Sequence, residues 1–94
     1  MKPLNEYGSK EFRMIILNSV KDKDNWYFSQ TREAYYADYR PSYPQKTAAD
    51  FTIVLDHSPV KSRITVYSDT ALVPIINQYS SMEDLLHDLR EMSA

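Results

Sequence analysis

The chain has 94 residues, 43% of them hydrophobic and 26% charged, which suits one hydrophobic core and is too little for two. It has no cysteine, which excludes a disulfide framework, a thiolate metal cluster and a cysteine nucleophile. The formal charge of -2 is uneven: residues 1–48 hold eight Lys or Arg against six acids, residues 49–94 three against seven, so the halves carry +2 and -4. Neither half concentrates the positive charge that duplex DNA binding needs.

The first residues, Met1 to Glu6, lack the apolar run of a signal peptide, and no segment approaches the roughly 20 apolar residues that span a bilayer. A cytoplasmic protein with no membrane partner is expected. Residues 11–20 fit two patterns. Phe12, Ile15, Ile16 and Val20 make a helical face, while Arg13 to Leu17 would serve as a buried strand. Helix is favoured, capped by Ser9 and ended by the polar run Lys21 to Asn25. Trp26 to Gln30 reads as a strand, and Thr31 to Tyr39 as a further strand or a short helix capped by Thr31. Pro41 and Pro44 impose an extended loop over residues 40–46.

Phe51 to Leu55 and Arg63 to Tyr67 are rich in β-branched and aromatic residues, with turn chemistry at Asp56 to Pro59, and predict an antiparallel hairpin. Ala71 to Ile76 is apolar, but Pro74 cannot donate to a ladder, which demotes it to an edge strand or a connector. The clearest helix is the last. Met82, Leu85, Leu86, Leu89 and Met92 form one stripe, Ser81 can cap it, Glu83 and Asp84 suit its first turn and Arg90 its last. With one glycine in the chain, turns that need positive φ are nearly excluded. The expected class is α+β: a small antiparallel sheet of three to five strands with an N-terminal and a C-terminal helix packed on one face.

Trp26, Tyr27, Tyr35, Tyr36, Tyr39 and Tyr43 fall within eighteen residues that also carry Arg32 and Arg40. Tyrosine, tryptophan and arginine are enriched at the energetic centres of interfaces. Some of these side chains must be core, and Trp26, Phe28 and Tyr35 are the candidates. In a strand, Tyr35 and Tyr39 share a face and Tyr36 opposes them; in a helix all three share a stripe. The partner-binding set taken from the sequence is Trp26, Tyr27, Tyr35, Tyr36, Tyr39, Arg40 and Tyr43.

No catalytic motif accompanies them. His57 beside Asp56 and Ser58 reads as a solvated turn histidine, because adjacent residues point apart and a triad needs spatial convergence. His87, near Glu83, Asp84 and Glu91, reads as a solvated helix face. No phosphate-binding glycine loop or metalloprotease signature is present, so neither an enzyme, a metal site nor a cofactor is expected. The expectation is a small inhibitor, of the phage anti-defence, immunity or antitoxin kind, that binds a larger protein, such as a basic nucleic-acid-processing enzyme. The alternatives are a single-stranded nucleic-acid binder using the same aromatics and a homodimer that consumes them in its own interface.

Overall fold

The computed structural model describes residues 2–45, 48–58, 62–68 and 75–93, the side chains of 91–93 excepted. A one-turn helix at Leu4–Glu6 leads into α1 (Ser9–Ser19), and a second single turn at Lys23–Asn25 leads into the sheet. The strands are β1 (Trp26–Gln30), β2 (Ala34–Tyr39), β3 (Phe51–His57), β4 (Ser62–Ser68) and β5 (Ile75–Tyr79), and α2 (Met82–Ser93) closes the chain. Every strand pairs antiparallel with its sequence neighbour, so the five form a simple meander in the order β1-β2-β3-β4-β5. The α+β architecture expected from the sequence is the one found.

Strand register explains which residues are buried. Phe28 opposes Ala37, Ala37 opposes Ile53 and Ile53 opposes Val66, so one apolar row crosses four strands. A second row runs through Tyr35, Leu55, Ile64 and Tyr79, and a third through Trp26, Tyr39 and Phe51. Side chains alternate across a strand, so all three rows lie on one face. Phe12 and Ile16 of α1 and Met82, Leu85 and Leu89 of α2 pack on that face, joined by Leu4 and Tyr7. Burying each large side chain contributes about 1.5–3 kcal/mol. Both helices therefore cover the same side of the sheet.

Two local expectations need correction, and the choice between strand and helix at Thr31 to Tyr39 falls to the strand. Ser9 is the first residue of α1 and not its cap: Gly8 stands at the cap position with extended backbone and no side chain to offer. Thr31 does not begin a helix. Its hydroxyl accepts the N–H groups of Glu33 and Ala34 at 3.4 and 3.2 Å, and its own N–H donates to the Ala34 carbonyl, which turns the chain back on itself. Residues 34–39 then continue as a strand, because only that period carries the apolar rows from β1 to β3. His57 lies inside β3 and not in the turn; of the expected turn, Pro59 lies outside the described residues. Of the expected segment Ala71 to Ile76, residues 71–74 also lie outside them, and the edge strand runs over Ile75–Tyr79. Ser81 does cap α2, accepting the Asp84 N–H at 3.2 Å.

Candidate protein-binding face

With both helices on one side, the opposite face of the sheet has no described helix over it. The register places its side chains in rows. Tyr27, Asp38, Thr52, Tyr67 and Ile75 lie across the five strands, and next to them run Ser29, Tyr36, Val54, Thr65 and Gln78. A shorter row holds Ala34, Asp56 and Arg63. The loop after β2 brings Tyr43 back over the first row, where its ring meets Tyr27 at 5.2 Å with a 55° tilt. Tyr27 and Tyr43 at one edge are 39% and 49% exposed and Ile75 at the other 45%, while Tyr36, Val54 and Tyr67 between them are half-buried and Thr65 is buried.

The polar groups on this face largely satisfy one another. Asp38 accepts the Thr52 hydroxyl at 2.8 Å and an Arg40 guanidinium N–H at 2.7 Å. Gln78 donates to the Thr65 hydroxyl at 3.4 Å and accepts from Arg63 at 3.5 Å. Arg40 is therefore neutralised by Asp38, and Arg63 sits opposite Asp56 in the ladder. The face presents tyrosine rings and hydroxyls with little net charge.

Of the seven residues singled out from the sequence, the fold brings Tyr27, Tyr36, Arg40 and Tyr43 together on or beside this face. It does not bring the other three there. Trp26 is only 7% exposed and belongs to the core, with Tyr35 and Tyr39 packed against it on the helix side. Trp26 and Tyr39 stand 5.2 Å apart, Tyr39 stacks on Phe51 at 4.9 Å, and Tyr35 stacks on His57 at 4.4 Å. Tyr67, Val54 and Ile75 were missed. Alternation through the hairpin would have found the first two, since Ile64 and Val66 point inward and Ile53 and Leu55 do likewise; Ile75 depends on the irregularity at Val66 and Tyr67, which no sequence pattern announces.

Beneath the aromatic cluster, the Tyr39 hydroxyl donates a short hydrogen bond to Asp22. That bond, then burial and the nearby carboxylates of Asp22 and Asp50, push the Tyr39 pKa up to about 12. Burial raises the Asp22 carboxyl, but hydrogen bonds from Tyr39, its own backbone and Asn25 outweigh it, and its pKa lies below the ordinary value. The Trp26 indole N–H also faces this carboxylate and acts in the same direction, yet stands outside hydrogen-bond geometry as a buried donor. These groups anchor β2 to the turn before β1.

His57 is not a solvated turn residue. Its ring is half-buried against Tyr35, and its Nε2 has no hydrogen-bond partner among the described residues. Asp56 and His57 point to opposite faces, and the Asp56 carboxylate accepts the Ser58 backbone N–H at 3.0 Å, so the three do not converge. Among the described residues, no three His, Asp or Glu side chains are grouped to hold a metal, and no helix is long and apolar enough to cross a membrane. No family model matches the chain, and neither a curated protein nor a solved structure is similar to it.

Proposed function

We propose that the chain is a small cytoplasmic binding module whose uncovered sheet face engages a larger protein, with Tyr27, Tyr36, Tyr43 and Tyr67 as the contacts. What supports this most is the face itself: Tyr27 and Tyr43 exposed at one edge and Ile75 at the other, with half-buried Tyr36 and Tyr67 between them among polar groups that bond one another. The rows around Asp38 and Arg40 can be desolvated without stranding a charge, which is what an interface centre requires, while Asp56 and Arg63 stand in the outer row. Binding of this kind inhibits the partner by occlusion, as small phage anti-defence, immunity and antitoxin proteins do. The -4 charge of residues 49–94 steers association toward a basic partner such as a nucleic-acid-processing enzyme, acting on the encounter rate more than on affinity.

Single-stranded nucleic acid is the weaker reading, because stacking platforms work beside unpaired cations and Arg40 is bound to Asp38. The test is recovery of a partner from the native host with the wild-type chain and with a Tyr27→Ser, Tyr36→Ser double variant. The variant is expected to bind at least about 30-fold more weakly, or about 2 kcal/mol, with an unchanged thermal midpoint. Equal recovery by both proteins refutes the reading. Sedimentation as a dimer that the same variant dissociates assigns the face to a second copy instead.

A further inference from the structure

A separate surface lies at the free edge of β1. β1 pairs only with β2, so one side of its backbone is unpaired among the described residues. The ladder identifies which groups point outward. The Arg40 N–H donates to the Asn25 carbonyl at 2.8 Å, and the Thr31 N–H donates to the Ala34 carbonyl at 2.9 Å. Hydrogen-bonded pairs alternate along an antiparallel ladder, so odd-numbered residues of β1 bond to β2. The N–H and C=O groups of Phe28 and Gln30 therefore point away from the sheet, available to another strand, as does the Trp26 carbonyl, while the Trp26 N–H is taken by the Lys23 carbonyl.

Beside this edge, between the first turns of α1 and β1, lies an open cavity of about 220 Å³. Its walls include the rings of Phe12, Phe28 and Tyr35, with Lys10 and Arg13 among its polar lining and no carboxylate among its residues. Phe12 packs edge-on to Phe28 at 6.4 Å, and the Arg13 guanidinium stands 5.7 Å over the Phe28 ring. Stacking on a ring holds a guanidinium in place while leaving its N–H fork open. Neither Lys10 nor Arg13 forms an ion pair with a described residue, and the nearest acid on the same helical turn, Glu11, is bound by Lys2.

We propose that the outer edge of β1 takes up an extended segment of another protein as a sixth strand, and that the cavity receives an Asp or Glu side chain of that segment. Main-chain bonds to Phe28 and Gln30 supply the affinity, and the cavity reads one side chain in every two, as strand addition does elsewhere. The apolar floor takes the side-chain stem and the two cations take the carboxylate. This surface meets the tyrosine face only at Ser29 and Tyr36, which also line the cavity; Tyr27, Tyr43 and Tyr67 do not, so either surface can fail without the other.

Panning a phage-displayed random heptapeptide library on the immobilised full chain tests it. Selected peptides are expected to share an Asp or Glu set among β-branched residues. The strongest, synthesised with a fluorescein label, is expected to bind about tenfold or more weakly to Arg13→Gln and to Gln30→Pro. Proline at residue 30 removes an outward N–H and leaves the β1–β2 ladder intact. If that variant does not fold, N-methylation of alternate backbone amides of the peptide tests the strand pairing in its place, and is expected to weaken binding by about tenfold or more in one of the two alternations. Tyr27→Ser is expected to leave peptide affinity unchanged. Absence of an acidic preference, indifference to both Arg13→Gln and Gln30→Pro, loss of peptide binding on Tyr27→Ser, or Arg13-dependent binding of a labelled oligothymidine in the peptide's place would each overturn the proposal.

Discussion

Tyr36 and Tyr39 are three residues apart on one strand and do opposite work. Tyr36 stands on the uncovered face, while Tyr39 is stacked on Phe51 and bonded to Asp22 beneath Trp26. Replacing Tyr39 by Phe keeps the ring contacts and removes the hydroxyl, which is expected to cost about 1 kcal/mol at neutral pH in urea unfolding. The pH dependence carries a sign. A tyrosine whose pKa rises on folding, here from 10.0 to about 12, stabilises the fold fully below pH 10.0, and that contribution is lost as pH climbs through about 12. Asp22, lowered on folding, contributes above its unfolded value of 3.8 and loses that contribution as pH falls through its folded value. Stability of the wild type should therefore fall across the alkaline window more than that of Tyr39→Phe, and unfolding midpoints at pH 9 and pH 12 measure it. Parallel curves for the two proteins would remove this role from Tyr39. The division of the tyrosines was legible in the sequence only as a pair of alternatives. Both a strand and a helix placed Tyr35 with Tyr39, and the fate of Tyr36 depended on the neighbours that β2 would acquire.

At the scale of elements, α2 was the most legible part, because a stripe every three or four residues has few other uses, whereas residues 11–20 also fitted a buried strand. Met82, Leu85 and Leu89 are buried as the spacing predicts, while Met92 lies outside the described side chains. The cap of α2 was equally readable, and Ser81→Ala should destabilise by about 1 kcal/mol in urea titration by removing the acceptor of the Asp84 N–H. An unchanged midpoint would mean that water replaces the serine at no cost. The cap of α1 was misread because a serine beside a glycine is the stronger local signal, whereas the chain direction set by Pro3 to Tyr7 places Gly8 at the boundary. The loop that returns Tyr43 to Tyr27 was not legible at all. Its two prolines announce extension, whereas residues 41–45 form turns, the first closed by the Tyr43 N–H on the Arg40 carbonyl at 3.3 Å. β5 joins α2 through the Tyr79 hydroxyl, which donates to Asp88 at 2.8 Å, another contact that only the folded chain creates.

For the molecule as a whole, a radius of gyration of 12.7 Å matches the roughly 12 Å expected of one folded body of this length. The sole tryptophan, Trp26, lies in the core that α1, α2 and the sheet share. Its fluorescence therefore reports the same event as far-UV circular dichroism, and the two transitions in urea should coincide. Separated midpoints would reveal a part that unfolds on its own, contrary to the single domain expected from 94 residues.

Among the described residues, none has a positive φ, and the one glycine, Gly8, sits in extended backbone with nothing within 4 Å of where a Cβ would stand. The β1–β2 reversal is made by the Thr31 hydroxyl and not by a left-handed residue. No described position is thus closed to an L-amino acid by a positive φ. Such a chain can drift far in sequence while keeping its shape, since most folds are pinned by a few glycines that cannot change and this one has none of them to hold. A comprehensive substitution scan should show cost following side-chain burial and hydrogen bonding, without the isolated intolerant loop positions that obligatory glycines produce.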